Sequence, residues 1–320
     1  MTKIVSAFSI LAIVLGALYA GSAEAQSHAW VSGGGNDGNP CTRTQPCATF
    51  NAAFPVAGPG GEIDVLDSGD FGPLVIYHAI TIANDGAGTA SITPSGSTPA
   101  INIVAGAADA VVLRGLNFDG VNSQASAVQF LQGGSLLIDH CTIEGFSNPA
   151  LELNPLFQAT LWVTDTVLAN DGNSASAAVS MFAQNSGNRG LTAHLERVQI
   201  LHATGNAIRV DGTGSTRSID VELRDVTADA STGTGIVALS SANHGVVNLM
   251  ADNVTSSHNA GYGLRAVGTN ASVYLSRSVI TDNGVGVAAS SGGEVFSYGD
   301  NRFAANTSGD GTAPTPIGPK

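Results

Sequence analysis

The chain comprises 320 residues with a formal net charge of −13, 25 acidic side chains facing 12 basic ones. That balance argues against nucleic acid and anionic membrane surfaces as partners, because both require basic patches that release counterions. Lysine occurs only at Lys3 and Lys320, which excludes chemistry built on a lysine inside the fold.

In chain order, Met1-Thr-Lys3 leads into an apolar run from Ile10 to Ala20 and then to Ala23-Glu-Ala25. A basic start, a short apolar core and a small-residue site form a secretory leader, and the core is shorter than the roughly 20 residues a bilayer span needs. Cleavage is expected before Gln26, with the product in the periplasm or outside the cell and no membrane span remaining. Removing residues 1–25 takes away one lysine and one glutamate, so the charge balance is unchanged. Residues 26–60 read as an N-terminal cap. The glycines Gly33 to Gly35 lack the strand-then-helix setting of a phosphate loop. Cys41 and Cys47 lie in a short turn-rich segment, which in an exported chain points to a local disulfide; a metal pair is the alternative, with no histidine or third cysteine nearby to complete it. The run from Cys47 to Phe54 reads as a short apolar helix that caps the N-terminal end of residues 61–306.

Residues 61–306 carry a repeat. Apolar positions at Leu113, Ile138, Val163, Leu195, Leu223, Met250, Leu275 and Tyr298 recur at spacings of 23 to 32 residues, all but the first with a charged residue or histidine two places later. Several are preceded by strict alternation, as in Leu136-Leu-Ile138 and Val221-Glu-Leu223, which is the period of a strand. Clusters such as Asn170-Asp-Gly-Asn173 supply turns. A unit of this size cannot bury its inner face alone, but stacked units can. Leucine-rich repeats, propeller blades and calcium-binding nonapeptide repeats all need other frames. The pattern therefore predicts an all-β, right-handed parallel β-helix: a solenoid of roughly ten coils, about 45–50 Å long. Cys141 falls within a repeat, as a buried structural thiol would. Residues 307–320, rich in Gly and Pro, read as a loose tail or a strap over the last coil.

The segment Ser32-Gly-Gly-Gly-Asn-Asp37-Gly-Asn-Pro-Cys41 with Pro46-Cys47-Ala-Thr-Phe50, followed by Gly60-Gly-Glu-Ile-Asp-Val-Leu66 and Gly69-Asp-Phe-Gly72, resembles secreted proteins of the pectin-lyase-like superfamily. Within it, the chain looks like a bacterial group with the same capped N-terminus. The resemblance implies the rod; for function it spans lyases, hydrolases, esterases and adhesins. The galacturonan hydrolases of that fold use a D-D pair, a G-H-G and an R-x-K. None occurs here, and Asn243-His244-Gly245 is a partial echo.

With the repeat positions pointing inward, their neighbours point out. Trp162, His194, Glu196, Glu222 and Arg224 then gather on three successive coils, with Tyr274 further along the same face. Glu196 and Glu222 are expected about 8 Å apart at the backbone, within range of an acid and base pair with a water between them. The longest coil places Asp171 to Gly190 beside them as a wall. The plainer reading makes Glu196 and Arg224 an ion pair across coils and packs Trp162 and Tyr274 under loops. The row two places beyond the repeat positions includes Asp225 and Asp252, read as part of a charge ladder or, alternatively, as a calcium pair. No other cofactor is expected. The favoured function is a noncatalytic exported scaffold that binds a polysaccharide or cell-surface glycan. The rival is a carbohydrate-active enzyme, a polysaccharide lyase or glycoside hydrolase, centred on Glu196, Glu222 and Arg224; the candidate ligand-binding residues are Trp162, His194 and Tyr274. A surface-display passenger is weakened by the want of membrane-barrel strands near the C-terminus.

Overall fold

A computed structural model describes residues 27–182 and 190–318; the expected leader at 1–25 lies outside the described residues, as do 183–189 of the expected wall. The alternating segments form parallel strands in three sheets of twelve, ten and nine strands, here sheets I, II and III. Sheet I runs from His28–Val31 to Thr315–Pro316, sheet II from Gly69–Asp70 to Arg302–Ala304, and sheet III from Leu74–Ile76 to Val285–Ser290. Each turn of the chain visits them in that order, so the molecule is a parallel β-helix. Its inner columns are apolar: on sheet I, Ile82, Leu113, Ile138, Val163, Leu195, Leu223, Ala251 and Leu275 stack in register. All are buried, and burying each larger aliphatic contributes about 1.5–3 kcal/mol.

Two repeat positions are corrected by one residue. Ala251, not Met250, continues the inner column, and Ser297, not Tyr298, pairs with Leu275. Both errors come from taking the larger apolar residue as the buried one. Here small residues point in and large ones point out.

The corners are made by the backbone. Between sheets I and II, His140, Asp165, Arg197, Asp225, Asn253 and Arg277 hold left-handed φ of 48° to 54°, and between sheets II and III Asn170, His202, Ala230, His258, Asp282 and Ala305 hold 53° to 58°. One left-handed residue per corner turns the chain sharply enough for three short strands to close a coil. Inside the second corner an amide ladder runs. The Oδ1 atoms of Asn259, Asn283 and Asn306 accept from the backbone N–H of Ser231, Asn259 and Asn283, each at 3.0 Å. Their Nδ2 atoms donate to the carbonyls of Ala228, Ser256 and Ile280 at 3.1, 2.9 and 3.1 Å. Asp171 occupies the same column one coil after Phe146, whose N–H donates to its Oδ1 at 2.9 Å.

Both ends are closed, as an exposed strand edge requires. At the start, helix α1 (Phe50–Ala57) buries Phe50, Ala53, Phe54 and Ala57. It begins later than the sequence suggested because Thr49 is its N-cap, accepting from the Ala52 N–H at 3.2 Å. Phe50 packs on Phe71 at 5.1 Å and Phe54 stacks on His78 at 4.1 Å. Cys41 and Cys47 form a disulfide with Cα atoms 4.7 Å apart. Its loop hydrogen-bonds the free side of the first strand: Trp30 donates to Cys41 O at 2.8 Å and accepts from Cys47 N–H at 3.0 Å. At the far end the strap alternative holds. Thr315–Pro316 pairs with Phe296–Ser297, and the segment before it bonds Val287 of sheet III.

Candidate functional site

The outward column of sheet I is apolar or aromatic along most of its length: Val112, Leu137, Trp162, His194, Glu222, Met250, Tyr274 and Phe296 follow one another in register. Trp162 is 41% exposed. Its ring stacks on His194 with centroids 5.8 Å apart and planes 15° from parallel, and Tyr274 stacks on Phe296 at 5.1 Å and 18°. Strand spacing of about 4.8 Å makes such stacks the natural outcome of aromatic residues on successive rungs.

Glu222 sits between the two stacks. Its Oε2 meets His194 Nδ1 at 3.1 Å and its Oε1 accepts from Arg224 Nη2 at 2.9 Å. Glu196 is held by the Arg197 guanidinium, which also grips Asp165 through two bonds of 2.6 and 2.7 Å. Glu196 and Arg224 are register neighbours, as expected, yet their ion pairs go to Arg197 and to Glu222. Both candidate carboxylates are thus engaged as acceptors.

Two open depressions flank Glu222. One of about 160 Å³ is lined by Trp162, His194, Glu196, Glu222 and Arg224. The other, of about 220 Å³, lies between His194 and Tyr274 over Glu222 and Met250, with Thr192, Asp220 and Asn248 along one side. Since one face of Tyr274 is taken by Phe296, the opposite face borders this second depression. Asn248 Nδ2 donates to Asp220 Oδ1 at 2.8 Å, fixing that polar edge.

The remaining sequence candidates lie elsewhere. Asp225 and Asp252 do not share a column: Asp225 is bonded by Asn253, and Asp252 by Arg277, whose Nε lies 2.8 Å away. The Arg277 guanidinium holds the Asp252 carboxyl below its ordinary range, and a calcium ion there would have to displace it. The expected wall is corrected in part, because Ala177–Phe182 forms a strand of sheet III and Asp171 is buried. Cys141 is a buried free thiol, pushed up to about 12 by desolvation, which leaves it protonated and unreactive. The sequence reading missed Met250 and Phe296. Alternation through Val247-x-Leu249-x-Ala251 was the signal that would have placed Met250 outside.

No protein family, curated protein or solved structure matches the chain.

Proposed function

We propose that the protein is an exported β-helix that binds a glycan on the outer face of sheet I without turning it over. One observation carries this reading: the outward column keeps large apolar and aromatic side chains in register while small residues fill parts of the column beneath. A sugar ring has apolar faces and hydroxylated edges. The depression beside Tyr274 offers an aromatic wall and a Met250 floor for the one, and Thr192, Asp220, Asn248 and Glu222 for the other. The net charge of −13 disfavours a strongly acidic polymer, so a neutral or mildly charged glycan is the expected ligand. The leader sequence, the disulfide and the resemblance to the pectin-lyase-like superfamily support export and a polysaccharide setting. Glu196 and Glu222 are both tied into ion pairs, which supports binding without hydrolysis.

The test is titration of the purified protein with a panel of neutral and acidic oligosaccharides, with mass spectrometry of the incubated ligands. Binding to at least one ligand is expected, with no new products and no dependence on calcium. Trp162→Ala and Tyr274→Ala should each weaken it by about 1–2 kcal/mol, tenfold or so. Unchanged affinity in both variants would remove sheet I as the site. New products that vanish in Glu222→Gln would establish the enzyme instead.

A further inference from the structure

Cleavage after Ala25 makes Gln26-Ser27-His28 the first three residues of the mature chain. A histidine third from a free α-amine presents four nitrogens to one ion through fused chelate rings: the amine, the amides of residues two and three, and imidazole Nδ1. A square-planar nitrogen set selects Cu(II) and Ni(II). The structure adds an independent observation at the same residue. His28 stands on the first strand of sheet I opposite Glu62, with its Nδ1 3.2 Å from Asp64 Oδ2. Ligand atoms of His28, Glu62 and Asp64 all lie within 4.8 Å of one another. The Glu62 N–H donates to Ser27 O, whereas Trp30 turns its backbone groups to the disulfide loop on the other side. Alternation along the strand therefore aims the His28 amide with that of Trp30, away from the neighbouring strand.

We propose that the mature N-terminus is a Cu(II) or Ni(II) site, in which the Gln26 amine, the Ser27 and His28 amides and His28 Nδ1 bind in plane and Asp64 or Glu62 supplies an oxygen above it. The proposal rests on the export reading, since without cleavage there is no amine at Gln26. His28 Nδ1 exchanges its contact with Asp64 for the metal, and Ser27 leaves the strand edge. Binding releases the two amide protons, and the ammonium proton where the amine is charged, so affinity falls as pH is lowered. Two carboxylates within reach of the ion favour a cation at this corner of the rod.

Two preparations of the protein separate the proposal from the reading on which it rests. One is secreted with its own leader; the other is made with an N-terminal tag whose removal exposes Gln26. Intact mass reports where the secreted chain begins, and Cu(II) titration is read by the visible absorption of a four-nitrogen copper site. One equivalent is expected on every chain that starts at Gln26, with Ni(II) competing. His28→Ala should abolish it, and so should a single alanine added ahead of Gln26, which leaves every side chain in place. Glu62→Gln combined with Asp64→Asn should keep the absorption band and weaken binding by about 10-fold. Cyclisation of Gln26, in which its amine displaces ammonia from the side-chain amide, removes the amine, and that fraction should not bind. Binding that survives the added alanine, or a chain with a free Gln26 amine that takes up no copper, would overturn the proposal. A secreted chain beginning elsewhere, with the tag-released chain still binding copper, would leave export standing but overturn cleavage before Gln26, and with it the site on the native mature chain.

Discussion

Asp171 is fully buried in a column where later coils place asparagine, and among the described residues its Oδ2 has no hydrogen-bond partner. Desolvation pushes its carboxyl up to about 8, so the folded chain keeps a proton that the unfolded chain gives up above its ordinary value of about 4. The unfolded state then binds fewer protons, and stability declines as pH rises from about 4 to about 8, at up to roughly 1.4 kcal/mol per pH unit. The asparagines of this column donate to a carbonyl three residues ahead of the column position on the preceding coil; for Asp171 that carbonyl is Ile143. Asp171→Asn should therefore raise the unfolding temperature, and by more at pH 8 than at pH 5. An equal gain at both pH values, measured by thermal unfolding, would mean the carboxyl is not held neutral. None of this was legible in the sequence, where Asn170-Asp-Gly-Asn173 has the composition of a surface turn. The Trp162, His194, Glu222 and Arg224 cluster was legible, because strand alternation and coil length alone bring them together.

At the level of strands, the repeat positions through Leu223 and the one at Leu275 were readable because their inward residues are large. At Ala251 and Ser297 the buried residue is smaller than its exposed neighbour, and a rule that buries the larger residue slips by one. A slip of one reverses every side chain of a strand, which is why Met250 and Phe296 were misplaced and Asp252 was drawn beside Asp225. The fate of residues 307–320 was also open, since two paired residues and a few carbonyl bonds leave no periodic mark. That strap covers edges of both sheet I and sheet III. Deleting residues 307–320 should leave the circular dichroism of the rod nearly unchanged but cause self-association through the bared strands. Light scattering over a concentration series measures this, and a deletion variant that stays monomeric would show the strap is not a cover.

Over the whole molecule, each coil touches mainly the coils above and below it, so a disturbance at one end should decay along the rod. The disulfide closes a loop beside the first strand, and its loss should cost about 2 kcal/mol of local stability. In the Cys41→Ser, Cys47→Ser double variant, hydrogen exchange should quicken in His28–Val31 and Gly61–Val65 while Leu191–Glu196 and Ile219–Arg224 keep their protection. Uniform loss of protection would indicate one cooperative unit instead.

The left-handed corners bear on how such a rod can vary. At each one the turn is set by backbone dihedral angles, and most of the side chains there, among them His140, Arg197, Asp225, His202 and His258, stand in solvent. Charge, polarity and size at these two edges are therefore decoupled from the packing of the interior. Surface chemistry can be rewritten along either edge, coil by coil, with the core and its register left as they are.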